Sequence, residues 1–467
     1  MKINEYGFVR VAAASPKVKV ADCDYNVSEI KSMIDVAEKE NVQIVCFPEL
    51  SITSYTCGDL FFQAALQQKA VEALLELAGF IKKKPSLIAI VGLPLLLKNS
   101  LYNVAAVISH EGVLGFVPKT YIPNNNEFYE KRWFAGSRDL NDFFVEINGE
   151  SIPVSSDGMI FHTPFASFGI EICEDLWMPV PPSSKLAIEG ADVIFNLSAS
   201  NELVGKNAYR KSLALQQSGR CNAAYVYASA GCGESSTDLV FSGAATIAEN
   251  ATLLAEGKRF SLDDEMIISD IDVVALRGDR LKNSNFIPPQ EESVSEIECA
   301  LEAVSTGKWY RKFNPYPFIP SPEKEDEYLS EVFNIQTAGL AKRLQHTGIK
   351  TVTMGISGGL DSTLALLVTT KTFDFIGLPR ENIIGITMPR FGTTGRTYNN
   401  AVELMKSVGV TVKEIPIVNA VTQHLKDIEH DINLHDITYE NAQARERTQI
   451  LMDYANKING LVVGTGN

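Results

Sequence analysis

The sequence predicts an α/β protein made of two parts and a connector. Three observations carry this reading. Strand-like and helix-like segments alternate over roughly the first 270 residues. Near residue 355, a short β-branched run, Ile349 to Met354, meets a glycine turn and then an apolar helix-like run, Thr363 to Val368. Between the two lie Pro288, Pro289, Pro315, Pro317, Pro320, Pro322 and the acidic run Glu323 to Glu327. The expected boundaries are 1–272, a connector over 273–326, and 327–467.

In chain order, Gly7 to Ala14 reads as a strand. Asn26 to Asn41 reads as a helix with Ile30, Met33, Ile34 and Ala37 on one face. Gln43 to Phe47 is a strand that stops at Pro48, Leu60 to Lys83 a helix and Ser86 to Leu93 a strand. Tyr102 to Ile108 and Gly112 to Val117 are strands, with a hairpin signal at His110-Glu111-Gly112. Strands are expected at Phe165 to Cys173, Val193 to Leu197, Ala223 to Ser229, Phe241 to Ile247 and Leu253 to Glu256. Helices are expected around Ser184 to Glu189 and over Asn207 to Ser218, and a local helix over Ser293 to Ser305 within the connector.

Composition narrows the function. At 467 residues the chain has room for two or three domains with sizeable cores. A net charge of −15 argues against nucleic-acid binding as the main task, so any anionic nucleotide must be held by local groups. Seven cysteines without a C-x-x-C pair point to reduced thiols, a cytoplasmic setting and no structural zinc. The N-terminus has no signal-peptide pattern, and no apolar run reaches membrane-span length. The histidines form no ligand cluster; His430 and His435 beside Asp431 and Asp436 read as polar surface.

The glycine turn is Gly355-Ile356-Ser357-Gly358-Gly359-Leu360-Asp361-Ser362. Placed between a strand and a helix N-terminus, it directs free N–H groups and the helix dipole at an anion. The Walker A pattern does not fit, because no lysine follows the glycines. Asp361 would repel a phosphate unless Mg2+ lay between them, so it reads as a metal ligand or, more plainly, as a helix cap. The stretch resembles the SGGxDS motif of the PP-loop ATP pyrophosphatases. That resemblance implies a doubly wound parallel sheet and cleavage of ATP between its α and β phosphates.

Three polar or reactive residues of the first part each end an apolar strand: Glu49, Lys119 and Cys173. Strand ends are where α/β folds place chemistry. A carboxylate can take a thiol proton, and a lysine can hold the oxyanion formed when a thiolate attacks an amide. Taken singly, Cys173 reads as a small buried hydrophobe and Glu49 and Lys119 as surface charges; spacing alone does not bring them together.

The segments Phe47-Pro48-Glu49-Leu50, Pro118-Lys119-Thr120-Tyr121-Ile122-Pro123 and Glu171-Ile172-Cys173-Glu174-Asp175-Leu176-Trp177 resemble the three signatures of the nitrilase superfamily. The resemblance implies an αββα sandwich, with Glu49 as general base, Lys119 at the oxyanion and Cys173 as nucleophile. It also implies Glu127 as the second glutamate beside the lysine and the Glu174 backbone N–H as an oxyanion donor.

A nitrilase-like part followed by an SGGxDS part resembles the glutamine-dependent NAD synthetase family. Three further segments are similar to that family: Thr387 to Thr397, its substrate loop; Tyr439 to Arg447, its dinucleotide-contacting helix; and Val462 to Gly466, the turn completing its ATP site. The implied reaction converts deamido-NAD, ATP and glutamine to NAD, AMP, pyrophosphate and glutamate through an adenylate, with Mg2+ and with ammonia passed inside the protein. Glutamine contacts are implied at Glu174, Trp177 and Ser200, and less plainly at Asn125, where relatives commonly carry tyrosine, and Lys206, where some carry arginine. ATP contacts are implied at residues 355–362 and Thr465, and deamido-NAD contacts at Arg396, Asn441 and Arg445. Asn441 and Arg445 share a helix face, where ordinary ion pairing is the plainer reading. The expected partners are these small molecules and a homo-oligomeric assembly, with no nucleic acid and no membrane. In relatives the turn at Gly464 continues as GTGDLSE, whereas Asn467 stands at the first acidic position, so an incomplete synthetase part is expected. A plain amidohydrolase with a degenerate second part, or another PP-loop amidotransferase, stays open as an alternative.

Overall fold

A computed structural model describes residues 1–287, 294–389 and 395–465. The chain divides into two compact units, Met1–Phe313 and Asn314–Asn467.

The first unit runs β1 (Phe8–Ser15), α1 (Cys23–Lys39), β2 (Ile44–Cys46), α2 (Ala64–Ile81), β3 (Ile88–Leu97), β4 (Ser100–Ser109) and β5 (Gly112–Pro118). It continues with β6 (Phe143–Ile147), β7 (Glu150–Val154), β8 (Met159–His162), β9 (Ser167–Ile172), α3 (Pro182–Ile188), β10 (Val193–Ser198) and α4 (Lys206–Arg220). It closes with β11 (Ala224–Ser229), β12 (Ala245–Glu249), β13 (Thr252–Glu256), β14 (Glu265–Asp272), α5 (Val273–Leu281) and β15 (Ser295–Glu298). Two mixed sheets result, ordered β14-β1-β2-β3-β4-β5-β7-β6 and β13-β12-β11-β10-β9-β8-β15.

Strand periodicity explains how they stack. On β1, Val9, Val11 and Ala13 face the second sheet, where they meet Phe168, Ile170, Phe195 and Val226, while Ala12 and Ala14 face the helices. Ile30, Ile34, Leu74 and Leu77 of α1 and α2 cover the outer face of the first sheet, and Leu186 and Ala214 of α3 and α4 cover that of the second. The layers are therefore α-β-β-α, as the sequence predicts. Burial on both faces leaves the strands with near-continuous apolar runs.

Two sequence readings change here. The helix expected over Ser293 to Ser305 is instead β15, which pairs in parallel with β8, and Ser293 lies outside the described residues. The connector expected from 273 packs on the first unit as far as Phe313. Its anchor is Arg10, 1% exposed, which bonds Asp270 at 2.7 Å and the carbonyls of Thr306 and Lys308 at 3.1 and 2.8 Å. Arg311 bonds Glu249 at 2.7 Å, and Leu301 and Val304 are buried. A buried guanidinium needs its full set of acceptors, and this segment supplies two of them.

The second unit runs α6 (Glu325–Thr347), β16 (Val352–Gly355), α7 (Leu360–Ile376), β17 (Ile383–Thr387), α8 (Gly395–Val408), β18 (Thr411–Glu414), α9 (Val418–Asp427), α10 (Ile437–Lys457) and β19 (Leu461–Val462). Its sheet is ordered β18-β17-β16-β19, parallel at every pair. The core joins Leu344, Val352, Met354, Leu366, Phe373, Met405 and their neighbours. Arg390 to Thr394 of the expected substrate loop, and Gly466 and Asn467, lie outside the described residues.

Candidate active site

In the first unit, β2, β5 and β9 end at one edge of the sandwich. Just beyond them stand Glu49, Lys119 and Cys173, at 1, 0 and 5% exposure. Gly92 on β3 permits the turn that carries Glu49, since a Cβ there would sit 2.2 Å from the Leu50 nitrogen. Cys173 opens a 3-10 turn with φ +45°, a left-handed conformation uncommon outside glycine and typical of residues held for function. The Asp175 carboxylate pins that turn. It accepts N–H bonds from Ile172 at 2.9 Å, Tyr121 at 2.8 Å and Thr120 at 3.2 Å, tying the cysteine turn to the loop after Lys119.

Lys119 Nζ donates to Glu49 Oε1 at 2.6 Å and to Glu130 Oε1 and Oε2 at 2.9 and 2.8 Å. Tyr55 Oη donates to Glu130 at 2.7 Å, and Asn103 Nδ2 to Glu49 Oε1 at 2.6 Å. Burial disfavours the ammonium, but the carboxylates of Glu130 and Glu49 outweigh it and hold the Lys119 pKa well above its ordinary value. Burial also pushes the Glu130 carboxyl up to about 7, with Lys119 opposing and Glu49 reinforcing. The Cys173 thiol is raised as well, by burial first and then by Glu49, with Lys119 opposing. At rest the sulfur is therefore a thiol beside a buried base and a buried cation, so it needs a proton acceptor to become a nucleophile.

Beside the lysine, a predicted site residue is displaced. Glu127 does not bond Lys119; it accepts from Asn201 Nδ2 at 2.7 Å, and Glu130 takes the place beside the lysine. The loop from Thr120 to Tyr129 is irregular, so spacing from Lys119 does not say which acid turns inward. Glu130 does so because its N–H bonds the Pro123 carbonyl at 3.1 Å and it heads a short 3-10 turn.

Beside the cysteine turn, Lys206 Nζ bonds Asn201 Oδ1 at 2.5 Å and lies over the rings of Trp177 and Phe128 at 5.4 and 5.5 Å. Burial lowers the Lys206 pKa and raises that of Glu174. Ser200 is buried, its N–H on Ser229 Oγ at 3.2 Å. Asn125 is exposed and lines, with Glu174, a separate cavity of about 1010 Å³. Sequence reasoning missed Asn103, Glu130, Asn201 and Asp175. Only Asn103 carried a signal, as the one amide within an otherwise apolar strand centre, Leu101 to Ile108.

In the second unit, the turn after β16 leads into α7 with Gly359 as its N-cap. Gly358 has φ +82°, and a Cβ there would lie 2.2 Å from the Thr397 carbonyl oxygen, so only glycine fits. Ser357 Oγ and Ser362 Oγ are 3.1 Å apart. A cavity of about 670 Å³ opens over this turn, lined among others by Ser357, Asp361, Ser362, Arg447 and Thr465. β16 has β17 on one side and β19 on the other, so the cavity sits at the carboxyl end of a central strand, where open parallel sheets bind ligands. Among the described residues Asp361 is exposed with no hydrogen bond or ion pair, and no cluster of three or more His, Cys, Asp or Glu could hold a metal by itself. Arg396, Asn441 and Arg445 are exposed and do not line the cavity; α10 presents Ala444, Arg447, Thr448 and Leu451 to it instead.

Residues 10–280 match the family model described as carbon-nitrogen hydrolase, and residues 332–467 match that described as NAD synthase. The glutamine-dependent NAD(+) synthetase of Mycobacterium tuberculosis is 37% identical over 99% of this chain and 70% of its own length. The protein of the same name from Thermotoga maritima is 28% identical over 98% of this chain and 74% of its own length. Among solved structures, a glutamine-dependent NAD(+) synthetase from Cytophaga hutchinsonii shares the fold with TM-score 0.52 and 23% identity, covering 98% of this chain and 75% of that one.

Proposed function

The chain belongs to the glutamine-dependent NAD(+) synthetase family, and from that membership we propose how its own residues divide the work. The enzyme amidates deamido-NAD to NAD with ammonia released from glutamine, driven by ATP. The observation that carries the division is the buried lysine held between two carboxylates beside the strained cysteine turn.

In the first unit Glu49 takes the Cys173 proton and the thiolate attacks the glutamine side-chain carbonyl. Lys119 and the Glu174 N–H stabilise the resulting oxyanion in a water-poor site. Glu49 then passes its proton to the departing nitrogen, leaving a thioester on Cys173 and free ammonia. Water cleaves the thioester, glutamate leaves, and the thiol is restored. Trp177, Ser200, Lys206 and Asn201 form the wall that orients glutamine. Glu130 keeps Lys119 charged and in place.

In the second unit the glycine turn and the first turn of α7 cradle the ATP phosphates, and Thr465 closes the site. The nicotinate carboxylate attacks the α phosphorus and pyrophosphate leaves. Ammonia displaces AMP from the adenylate to give NAD. The Asp361 carboxylate, unpartnered among the described residues, would hold Mg2+, which would supply screening of phosphate charge there. Arg447, which lines the cavity, is better placed for substrate phosphate than Arg445 or Arg396, while Asn441 is left at the exposed face. No helix among the described residues is long and apolar enough to cross a membrane. Assay of the enzyme with ATP, Mg2+, deamido-NAD and either glutamine or ammonium tests the reading: both should give NAD, AMP and pyrophosphate, and glutamine alone should give glutamate.

A further inference from the structure

We propose that Asn103 is a positioning residue that fixes which oxygen of Glu49 takes the nucleophile's proton. The proposal rests on Glu49 being the base.

Glu49 Oε1 accepts two bonds, from Lys119 Nζ and Asn103 Nδ2, both at 2.6 Å. Glu49 Oε2 is buried and has no partner among the described residues. One oxygen is thus saturated and turned to the cation, and the other is left as the oxygen of Glu49 that, among the described residues, is free to take a proton. With Lys119 alone, the carboxylate could rotate and offer either oxygen. A second donor from another direction removes that freedom, which is the condition for a base to be in reach of its proton at every encounter.

The placement of Asn103 supports this. It lies on β4 beside Ala105 and Val107, which face the apolar interior between the sheets, and it is itself fully buried. Its backbone carbonyl accepts the Lys119 N–H at 2.9 Å, so one residue locates both the lysine backbone and the glutamate side chain. Its amide orientation follows from chemistry: a carboxylate only accepts, so Nδ2 must face it. Asn103 Oδ1 has no partner among the described residues. An unpaired buried carbonyl is destabilising, and leucine would fill the space without one. Packing therefore does not account for an amide here, whereas loading of Glu49 Oε1 does.

The test is glutamine hydrolysis by the whole enzyme and by Asn103→Leu, Asn103→Asp, Asn103→Ala and Glu49→Gln, each assayed well below its measured thermal midpoint. Asn103→Leu and Asn103→Ala remove the donor, whereas Asn103→Asp keeps the shape and sets a carboxyl, which can carry a proton, against Glu49. The expected result is a fall in kcat of about tenfold or more with KM within about threefold, and a still larger fall for Glu49→Gln. The proposal is overturned if folded Asn103→Leu or Asn103→Ala keeps kcat within about threefold of the parent, or if the loss lies in KM alone. It is also overturned if all three fail to fold, since Asn103 would then be structural. Parental kcat in Glu49→Gln would instead overturn the assignment of the base.

Discussion

Lys119 Nζ lies 2.6 Å from Oε1 of Glu49, with both side chains fully buried. A lone buried cation and a lone buried base would each be driven neutral. Together, and with Glu130 at 2.8 Å, they hold a charge separation that an amide substrate can use when its carbonyl becomes an oxyanion.

Glu130→Gln should therefore lower kcat for glutamine hydrolysis by roughly 10- to 100-fold, because Lys119 loses one of the two carboxylates that hold it charged. Glu127→Gln should raise KM while leaving kcat within about threefold, because Glu127 bonds Asn201 and acts on Lys206 in the glutamine wall but does not bond Lys119. Steady-state kinetics of the two variants check this. The reverse pattern would return Glu127 to the place beside the lysine that the resemblance implied.

The Cys173 thiol is raised above its ordinary range by burial and by Glu49, so at rest it carries its proton near neutral pH. Alkylation by iodoacetamide, read at the Cys173 peptide by mass spectrometry, should rise steadily with pH through about pH 9 without levelling off. A plateau beginning below pH 8 would mean a stable resting thiolate.

The difference between Glu127 and Glu130 shows what a sequence can and cannot place. Glu49, Lys119 and Cys173 each end an apolar strand run, which marks them as candidates, but only the resemblance to the nitrilase signatures, not spacing, brings the three together. Glu130 is not so marked, since an irregular loop has no period to say which acid turns inward. The same holds on α10: helical spacing groups Asn441 with Arg445, and only the packing of Ala442 and Tyr439 against α9 shows that another face, with Arg447, meets the glycine turn. The segment from 273 to 313 reads as a linker by its prolines. Its attachment depends on Arg10, nearly 300 residues earlier than its partners Thr306 and Lys308, and no local pattern records that.

Asp361→Ala should abolish NAD formation with glutamine or ammonium while the second unit stays folded, since among the described residues Asp361 is exposed, makes no hydrogen bond or ion pair, and leaves the N-cap to Gly359. Thermal unfolding should shift by a few degrees at most. Undiminished ammonium-driven turnover would reduce Asp361 to a residue of the helix start.

Replacement of the nucleophile, assayed on both nitrogen sources, addresses the division of labour most directly. Cys173→Ala removes the buried sulfur and little volume. With ATP, Mg2+, deamido-NAD and glutamine, NAD formation by the enzyme should fall to background. With ammonium in place of glutamine, it should continue at the parental rate, because that route never uses the thiol. Equal loss with both nitrogen sources, or survival of glutamine-driven synthesis, would contradict the assignment of glutamine hydrolysis to Cys173 and of amidation to the second unit.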